Sequence, residues 1–529
     1  MAFNGPVRVR IAPSPTGDPH VGTAYMGLFN RACADKFGGQ FIFRLDDTDQ
    51  KRRNEKSEAM LIEALRWLNL KYDEGPDIGG PYKPYRQSER LDIYKRYADK
   101  LLNDGHAYYC FCTEERLDSV RKIAAKEGKQ TGYDRKCRDI PLADAKKRLA
   151  TEKHVIRAKM PLSGEIAFDD LLRGRVSFPA ADLDDKVILK ADGFPTYHLA
   201  NVVDDMEFKI THIFRGEEWL SSVPFHVILA QGLGVKLPAM THMSLLRNAD
   251  KSKVSKRKNP TNLLWFRDAG FLPEGVLNFL GLMSYSLAND QEIFTYDEFV
   301  KQFDPTRIGT GGPVFDLQKF EWLNGEHVRR LSDEEFEKRL IAHIKHLAGR
   351  EAEFQPLPAD DPAYQLGTFA DKFRIKTLER NLVIAKLGEK WLKQPDVIGK
   401  LVPHIKGRAH TLSEAAEYLP PFFEEVPPLP VADIAEIKKF DDAQKIETLR
   451  GAIEIIENTA DFSHQSLEAA MRQFVEGKGW KIGPPFMLIR LAALRAKVSP
   501  PLFESMVILG RDLTLKRLKL ALEELSARR

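Results

Sequence analysis

The sequence predicts an α/β protein: a parallel sheet with crossover helices, split by an inserted α+β segment and followed by an all-α C-terminal region. Three observations predict it. Strand-like and helix-like text alternates through the first hundred residues, the same alternation resumes near Val187, and amphipathic helical text takes over after about Glu326. A chain of 529 residues has room for about three to five domains at roughly 100 to 200 residues each. With 43% hydrophobic, 29% charged and 10% aromatic residues, disorder and fibrous repeats are excluded.

Residues 7–11 (Val-Arg-Val-Arg-Ile) read as the first strand, and residues 12–19 as a turn crowded with Pro, Ser, Gly and Asp. Residues 22–37 read as a helix. A second strand, residues 40–45, ends in Asp46-Asp47-Thr48-Asp49, and residues 55–68 carry Met60, Ala64, Leu65 and Leu68 at helical spacing. This is a βαβ unit. The second half starts with the strand at residues 187–189 and continues through a strand at 210–214, a helix at 217–229 and a Lys-rich loop at 251–258. The two halves form one nucleotide-binding sheet split by an inserted domain. Beyond it, residues 333–347, 366–387 and 434–459 read as helices, and Pro-rich hinges at 356–362 and 420–430 divide the region into two packed subdomains.

The chain holds 80 basic and 76 acidic residues, and its net charge of +4 neither demands nor forbids a polyanionic partner. Its opening residues lack a charged leader followed by an apolar core, and apolar stretches such as residues 275–285 are too short to span a bilayer. A cytoplasmic protein without a membrane anchor is expected. Four cysteines in so long a chain argue against a disulfide scaffold, whereas Cys110, Cys112 and Cys137 fall in one short segment and point to a metal. Zinc takes four tetrahedral ligands, and Cys-x-Cys with a later pair is an acceptable spacing. Three reduced cysteines without metal are the alternative.

Two motifs carry chemistry. His20-Val21-Gly22 stands at a strand-to-helix junction, where a helix N-terminus, backbone N–H groups and an imidazole donor suit a phosphate. Alone it is uninformative, because 13 His and 35 Gly in 529 residues produce about one His-x-Gly by chance. Lys253-Val254-Ser255-Lys256-Arg257 follows the second half of the sheet, and lysines on a loop suit the charge that builds on a leaving pyrophosphate. The bland alternatives are a His capping a helix and a solvated basic loop.

Taken together, the two motifs resemble the signatures of class I aminoacyl-tRNA synthetases, with Thr23 in the slot of a second His and Val254 in a Met or Leu slot. Residues 10–17 (Arg-Ile-Ala-Pro-Ser-Pro-Thr-Gly), 195–205 (Pro-Thr-Tyr-His-Leu-Ala-Asn-Val-Val-Asp-Asp) and 214–219 (Phe-Arg-Gly-Glu-Glu-Trp) resemble bacterial-type glutamyl-tRNA synthetases. The resemblance implies a Rossmann-type catalytic domain at residues 1–85 and 198–254, with an inserted acceptor-end-binding domain at 86–197. A stem-contact domain at 255–332 and helical anticodon-binding subdomains at 333–404 and 405–529 would follow. Implied partners are L-glutamate, ATP with Mg2+ and tRNA-Glu, acted on by a monomer. Rivals are a nondiscriminating form that also charges tRNA-Gln, a glutaminyl enzyme and a noncatalytic RNA-binding paralogue.

Residue by residue, the resemblance gives Arg10, Tyr197 and Asn201 to the substrate's γ-carboxylate, Arg215 to its α-carboxylate, and Ser14 and Asp46 to its ammonium group, with Ala12 beside them. Guanidinium forks suit an acidic substrate. Asp46 stands where bacterial members usually carry Glu, so its shorter carboxylate would reach through water. His20 and Gly22 are implied at the phosphates, Glu218 and Leu246 at the adenosine, and Lys253, Ser255 and Lys256 at the pyrophosphate. Zinc is implied on Cys110, Cys112 and Cys137 with Tyr133 or Asp139 as fourth ligand, and Arg374 is implied at the anticodon. Lys256→Ala is expected to slow adenylate formation far more than it weakens glutamate binding; unchanged single-turnover rates would refute the assignment.

Overall fold

In the computed structural model, β1 (Arg8–Ile11) pairs in parallel with β2 (Gln40–Phe43), Arg8 opposite Gln40 and Ile11 opposite Phe43. The helix Val21–Lys36 connects them and buries Ala24, Leu28, Phe29 and Ala32. Gly38 returns the chain at φ +60°, a conformation glycine adopts without strain. At Gly39 a Cβ would lie 2.1 Å from the carbonyl oxygen of Val7. That carbonyl accepts the N–H of Gln40 at 2.8 Å and sets the register of the pair.

The structure describes every residue except 1, 2, 4, 50, 52, 53, 127–131, 255–259, 425–427, 439, 528 and 529. The chain forms two compact units, Met1–Leu264 with Val276–Asp316, and Trp265–Gly275 with Leu317–Arg529.

In the first unit, β3 (Ala107–Cys110), β4 (Val155–Ala158) and β7 (Val187–Leu189) make an antiparallel sheet in the order β3-β4-β7. Residues 187–189 were expected to open the second half of the parallel sheet, and they instead close this antiparallel one. The hairpin β5 (Glu165–Asp170) and β6 (Gly174–Pro179) does the reverse: Asp170 pairs in parallel with Met240 of β9 (Ala239–Met243), which runs parallel to β8 (His212–Gly216). Chain order does not determine such pairings, because a strand takes whichever edge matches its apolar faces. The N–H of Thr211 donates to the carbonyl of Arg8 at 2.9 Å and ties the start of β8 to β1. Residues 217–229, expected as one helix, divide into a 3-10 turn, Glu217–Ser222, and a helix, Val223–Leu233. Pro224 suits the first turn of that helix, where its missing N–H costs nothing.

The second unit is helical. Asp333–Leu347 is a helix as expected, capped by Ser332. The expected helix at 366–387 runs from Phe369 to Trp391, because Gly367 turns left-handed at φ +59° and Thr368 starts a capping box with Asp371. The expected helix at 434–459 is broken into Val431–Ala435 and Asp442–Asn458, the second begun by the Asp441 and Gln444 capping box. One continuous apolar core joins Phe336, Leu340, Trp391, Leu401, Leu449, Leu488 and Leu518. Among the described residues, no helix is long and apolar enough to cross a membrane.

Gly39→Ala should force β1 and β2 apart and lower stability by about 1–3 kcal/mol, the usual range for overpacking. Urea unfolding followed by circular dichroism measures it, and an unchanged midpoint would contradict the close approach.

Candidate active site

The ends of β1 and β8 carry Arg10 and Arg215, and both border one cavity of about 490 Å3. Ten other residues expected at the site line the same cavity: Ala12, Ser14, His20, Gly22, Asp46, Tyr197, Asn201, Glu218, Leu246 and Lys253. Ser255 and Lys256 lie outside the described residues.

The helix Tyr197–Glu207 supplies one wall of the site. Residues 197, 201 and 205 recur at intervals of four and so share a helix face. Asn201 donates through Nδ2 to Asp205 Oδ2 at 3.1 Å. Asp205 in turn receives the Nε and Nη2 of Arg10, both at 3.1 Å, and the Nη1 of Arg44 at 3.0 Å. Arg44 grips Asp46 with Nε at 2.7 Å and Nη2 at 3.0 Å. Asp204 receives Gln87 at 2.8 Å, Arg90 at 2.8 Å and the Tyr94 hydroxyl at 2.9 Å. Buried guanidiniums are tolerated in this way, each against a carboxylate. Burial pushes the Asp46 carboxyl up to about 6, although Arg44 beside it opposes the rise. The carboxyl of Asp205 stays below the ordinary range, because its two arginines outweigh burial.

Arg215 has a different environment. Its Nε donates to His242 Nε2 at 3.0 Å and its Nη1 to the Tyr197 hydroxyl oxygen at 3.0 Å. The ring of Tyr197 packs on Trp219 with centroids 4.3 Å apart.

His20 is the N-cap of the helix Val21–Lys36, and its Nδ1 accepts the N–H of Gly22 at 3.0 Å. The capping alternative and the phosphate assignment are therefore compatible. With Nδ1 as acceptor the neutral ring carries its proton on Nε2, a donor for a phosphate oxygen. A Cβ on residue 22 would sit 3.1 Å from Nδ1, closer than ordinary van der Waals contact. Lys253 Nζ lies 3.8 Å from Glu218 Oε1 and is largely exposed. The N–H of Val254 donates to the carbonyl of Leu246 at 3.0 Å, fixing the start of the basic loop.

Sequence reasoning missed Arg44, Asp205, Trp219 and the pair Asp170 and His242. The spacing of Asn201 and Asp205 was a readable signal for Asp205. Nothing local marks Asp170, which reaches the site only through the β5 to β9 pairing.

Away from this cavity, Cys110, Cys112 and Cys137 converge, with Cys112 and Cys137 sulfurs 3.6 Å apart. Sulfurs on one tetrahedral zinc are about 3.8 Å apart, given Zn–S near 2.3 Å. The Tyr133 hydroxyl oxygen is 3.3 Å from Cys110 Sγ and 3.6 Å from Cys112 Sγ, so Tyr133 joins the cluster while Asp139 stays exposed outside it. Burial pushes the Cys112 thiol up to about 11. A dication would reverse that shift by favouring thiolates, and the donor set fits zinc. Arg374, on Phe369–Trp391, is 45% exposed and 3.9 Å from Asp361.

Residues 6–322 match the family of class I tRNA synthetases (E and Q), catalytic domain, and residues 381–522 match an anticodon binding domain. The glutamate–tRNA ligase of Psychrobacter sp. (strain PRwf-1) is 42% identical over 521 residues, covering 98% of this chain and 94% of that protein. That of Acidothermus cellulolyticus is 44% identical over 520 residues, covering 97% and 95%. A solved structure of a glutamate tRNA ligase from Elizabethkingia meningosepticum, in complex with its amino acid, superposes with TM-score 0.80 at 32% identity over 98% of this chain and 99% of that one.

The cysteine cluster yields a test. Protein purified without chelator should carry about one zinc per chain by elemental analysis, and Cys137→Ser should lose it along with several degrees of melting temperature. Much less than one zinc in the unmodified protein would favour the metal-free alternative.

Proposed function

We propose, since the chain belongs to the glutamate–tRNA ligase family of class I tRNA synthetases, that the cavity between Arg10 and Arg215 binds glutamate and MgATP and joins them as glutamyl-adenylate. The enzyme is an ATP-dependent aminoacyl-tRNA synthetase that attaches glutamate to tRNA. The observation that carries the site assignment is the convergence of two strand-end guanidiniums with His20 and Lys253 on one cavity.

Arg215 holds the α-carboxylate, and Asp46 with Ser14 receives the ammonium group. The γ-carboxylate is read by Arg10, Tyr197 and Asn201. The phenol oxygen of Tyr197 accepts from Arg215, which leaves its O–H to donate to substrate. An oxygen of the α-carboxylate attacks the α-phosphorus, a P–O bond forms, and the bond to pyrophosphate breaks. Charge accumulates on the leaving oxygens, where His20, Lys253 and Lys256 stabilise it. The 2′-hydroxyl of the terminal tRNA adenosine then attacks the acyl carbon, loses its proton and displaces AMP. No covalent enzyme intermediate is required, because positioning and electrostatics supply the acceleration.

The remaining chain follows one tRNA. Residues 86–197 grip the acceptor end, with zinc on Cys110, Cys112, Cys137 and Tyr133 bracing the insert; zinc supplies a structural crosslink there. Residues 255–332 contact the stem, and residues 333–404 and 405–529 reach the anticodon, where exposed Arg374 stacks on or bonds to a base. The protein works as a cytoplasmic monomer.

Labelled glutamate, ATP and purified tRNA-Glu should give charged tRNA with one AMP and one pyrophosphate per glutamate. No charging would overturn the proposal. Equal charging of tRNA-Gln would mark the nondiscriminating form, and Arg374→Ala should then change the preference between the two tRNAs by less than in a discriminating enzyme.

A further inference from the structure

Among the described residues, no carboxylate lies within salt-bridge distance of Arg215, although it is only 6% exposed. Two neutral groups hold it instead: His242 takes its Nε and Tyr197 its Nη1, while Nη2 is buried without a partner. His242 Nε2 can accept from a guanidinium only when the imidazole proton sits on Nδ1. Asp170 imposes that tautomer, with Oδ2 2.7 Å from His242 Nδ1, both side chains having no exposed surface. The carboxylate is itself fixed by backbone. Oδ1 receives the N–H groups of Leu172 at 3.0 Å and Arg173 at 3.1 Å, and Oδ2 that of His242 at 3.0 Å. The three residues sit on neighbouring strands, since Arg215 of β8 is directly opposite His242 of β9 and Asp170 of β5 pairs with Met240 two residues before it.

We infer that His242, held in its Nδ1–H tautomer by Asp170, is a positioning residue for amino-acid recognition: it occupies the Nε edge of Arg215 and presents the Nη1 and Nη2 end to the substrate's α-carboxylate. A guanidinium can meet a carboxylate by its Nε side or by its end. His242 closes the first and leaves the second. Asp170 acts through the imidazole, because a proton moved to Nε2 would face the Nε–H of Arg215, donor against donor. The hairpin β5–β6 thereby contributes to specificity without touching substrate. This inference rests on the reading that Arg215 binds the α-carboxylate.

Steady-state kinetics of the full-length enzyme with tRNA test it. His242→Leu should raise KM for glutamate about 10–100-fold, the loss expected for a hydrogen bond to a charged group, with KM for ATP within about twofold. His242→Gln offers an amide oxygen near the position of Nε2 and should recover most of the loss. Asp170→Asn turns an amide N–H toward Nδ1, drives the ring proton to Nε2 and should resemble His242→Leu. In the His242→Gln background the same Asp170 change should add less than about threefold, because its lever is gone. Arg215→Ala is the control. If it leaves KM for glutamate unchanged, the underlying reading fails. If it raises KM while His242→Leu and Asp170→Asn do not, the inference fails alone. Parallel rises in both KM values with a lowered melting temperature, unrescued by Gln, would make His242 merely structural and also overturn it.

Discussion

The catalytic unit depends on one constraint: each buried arginine must be held, either by a carboxylate or by neutral hydrogen-bond acceptors. Arg10, Arg44 and Arg90 meet Asp46, Asp204 and Asp205 in a buried array with equal numbers of charges. An unpaired charge there would cost several kcal/mol. Paired, the array joins β1, the end of β2, Arg90 at the start of a helix over Leu91–Asn103, and the helix Tyr197–Glu207, which are far apart in sequence. Those same elements carry part of the cavity wall, including Arg10, Asp46, Gln87, Tyr197 and Asn201. The charge network and the shape of the site are one arrangement.

Within this frame the two strand-end arginines are treated oppositely. Arg10 gives its Nε edge to Asp205, and the pair together presents a tempered charge. Arg215 is held by an imidazole and a phenol, both neutral, so burial lowers its pKa from the ordinary guanidinium range. A buried cation with no counter-ion among the described residues favours an arriving anion more strongly than one already paired.

The helix N-terminus shows a similar economy of groups. His20 closes the first turn of Val21–Lys36 with Nδ1, and that bond assigns its proton to Nε2. Capping engages one nitrogen of the ring and the proton sits on the other, and a Cβ on Gly22 would lie 3.1 Å from the capping nitrogen.

The βαβ start, the class of the fold and the cysteine cluster were legible in the sequence, because strand alternation, glycine and proline placement and spacing are local properties, and the twelve cavity residues were legible through the resemblance of short motifs to bacterial-type glutamyl-tRNA synthetases. What failed to show locally is long-range pairing. Residues 187–189 read as a strand but their partner, β4, could not be read, and the hairpin at β5 and β6 left no sign that it would extend the β8–β9 sheet. Arg44, Asp170 and His242 were missed for that reason: their roles are defined by neighbours about 161, 72 and 27 residues away along the chain. Tyr133 and Asp139 were likewise indistinguishable in the sequence, and the fold buries Tyr133 beside the sulfurs while Asp139 lies in solvent. By itself, then, the sequence determined which chemistry this protein carries, since residue types and local spacing encode it. Only the tertiary structure decided which charges neutralise one another and which guanidinium stays available, because burial and hydrogen-bond geometry exist only once distant strands meet.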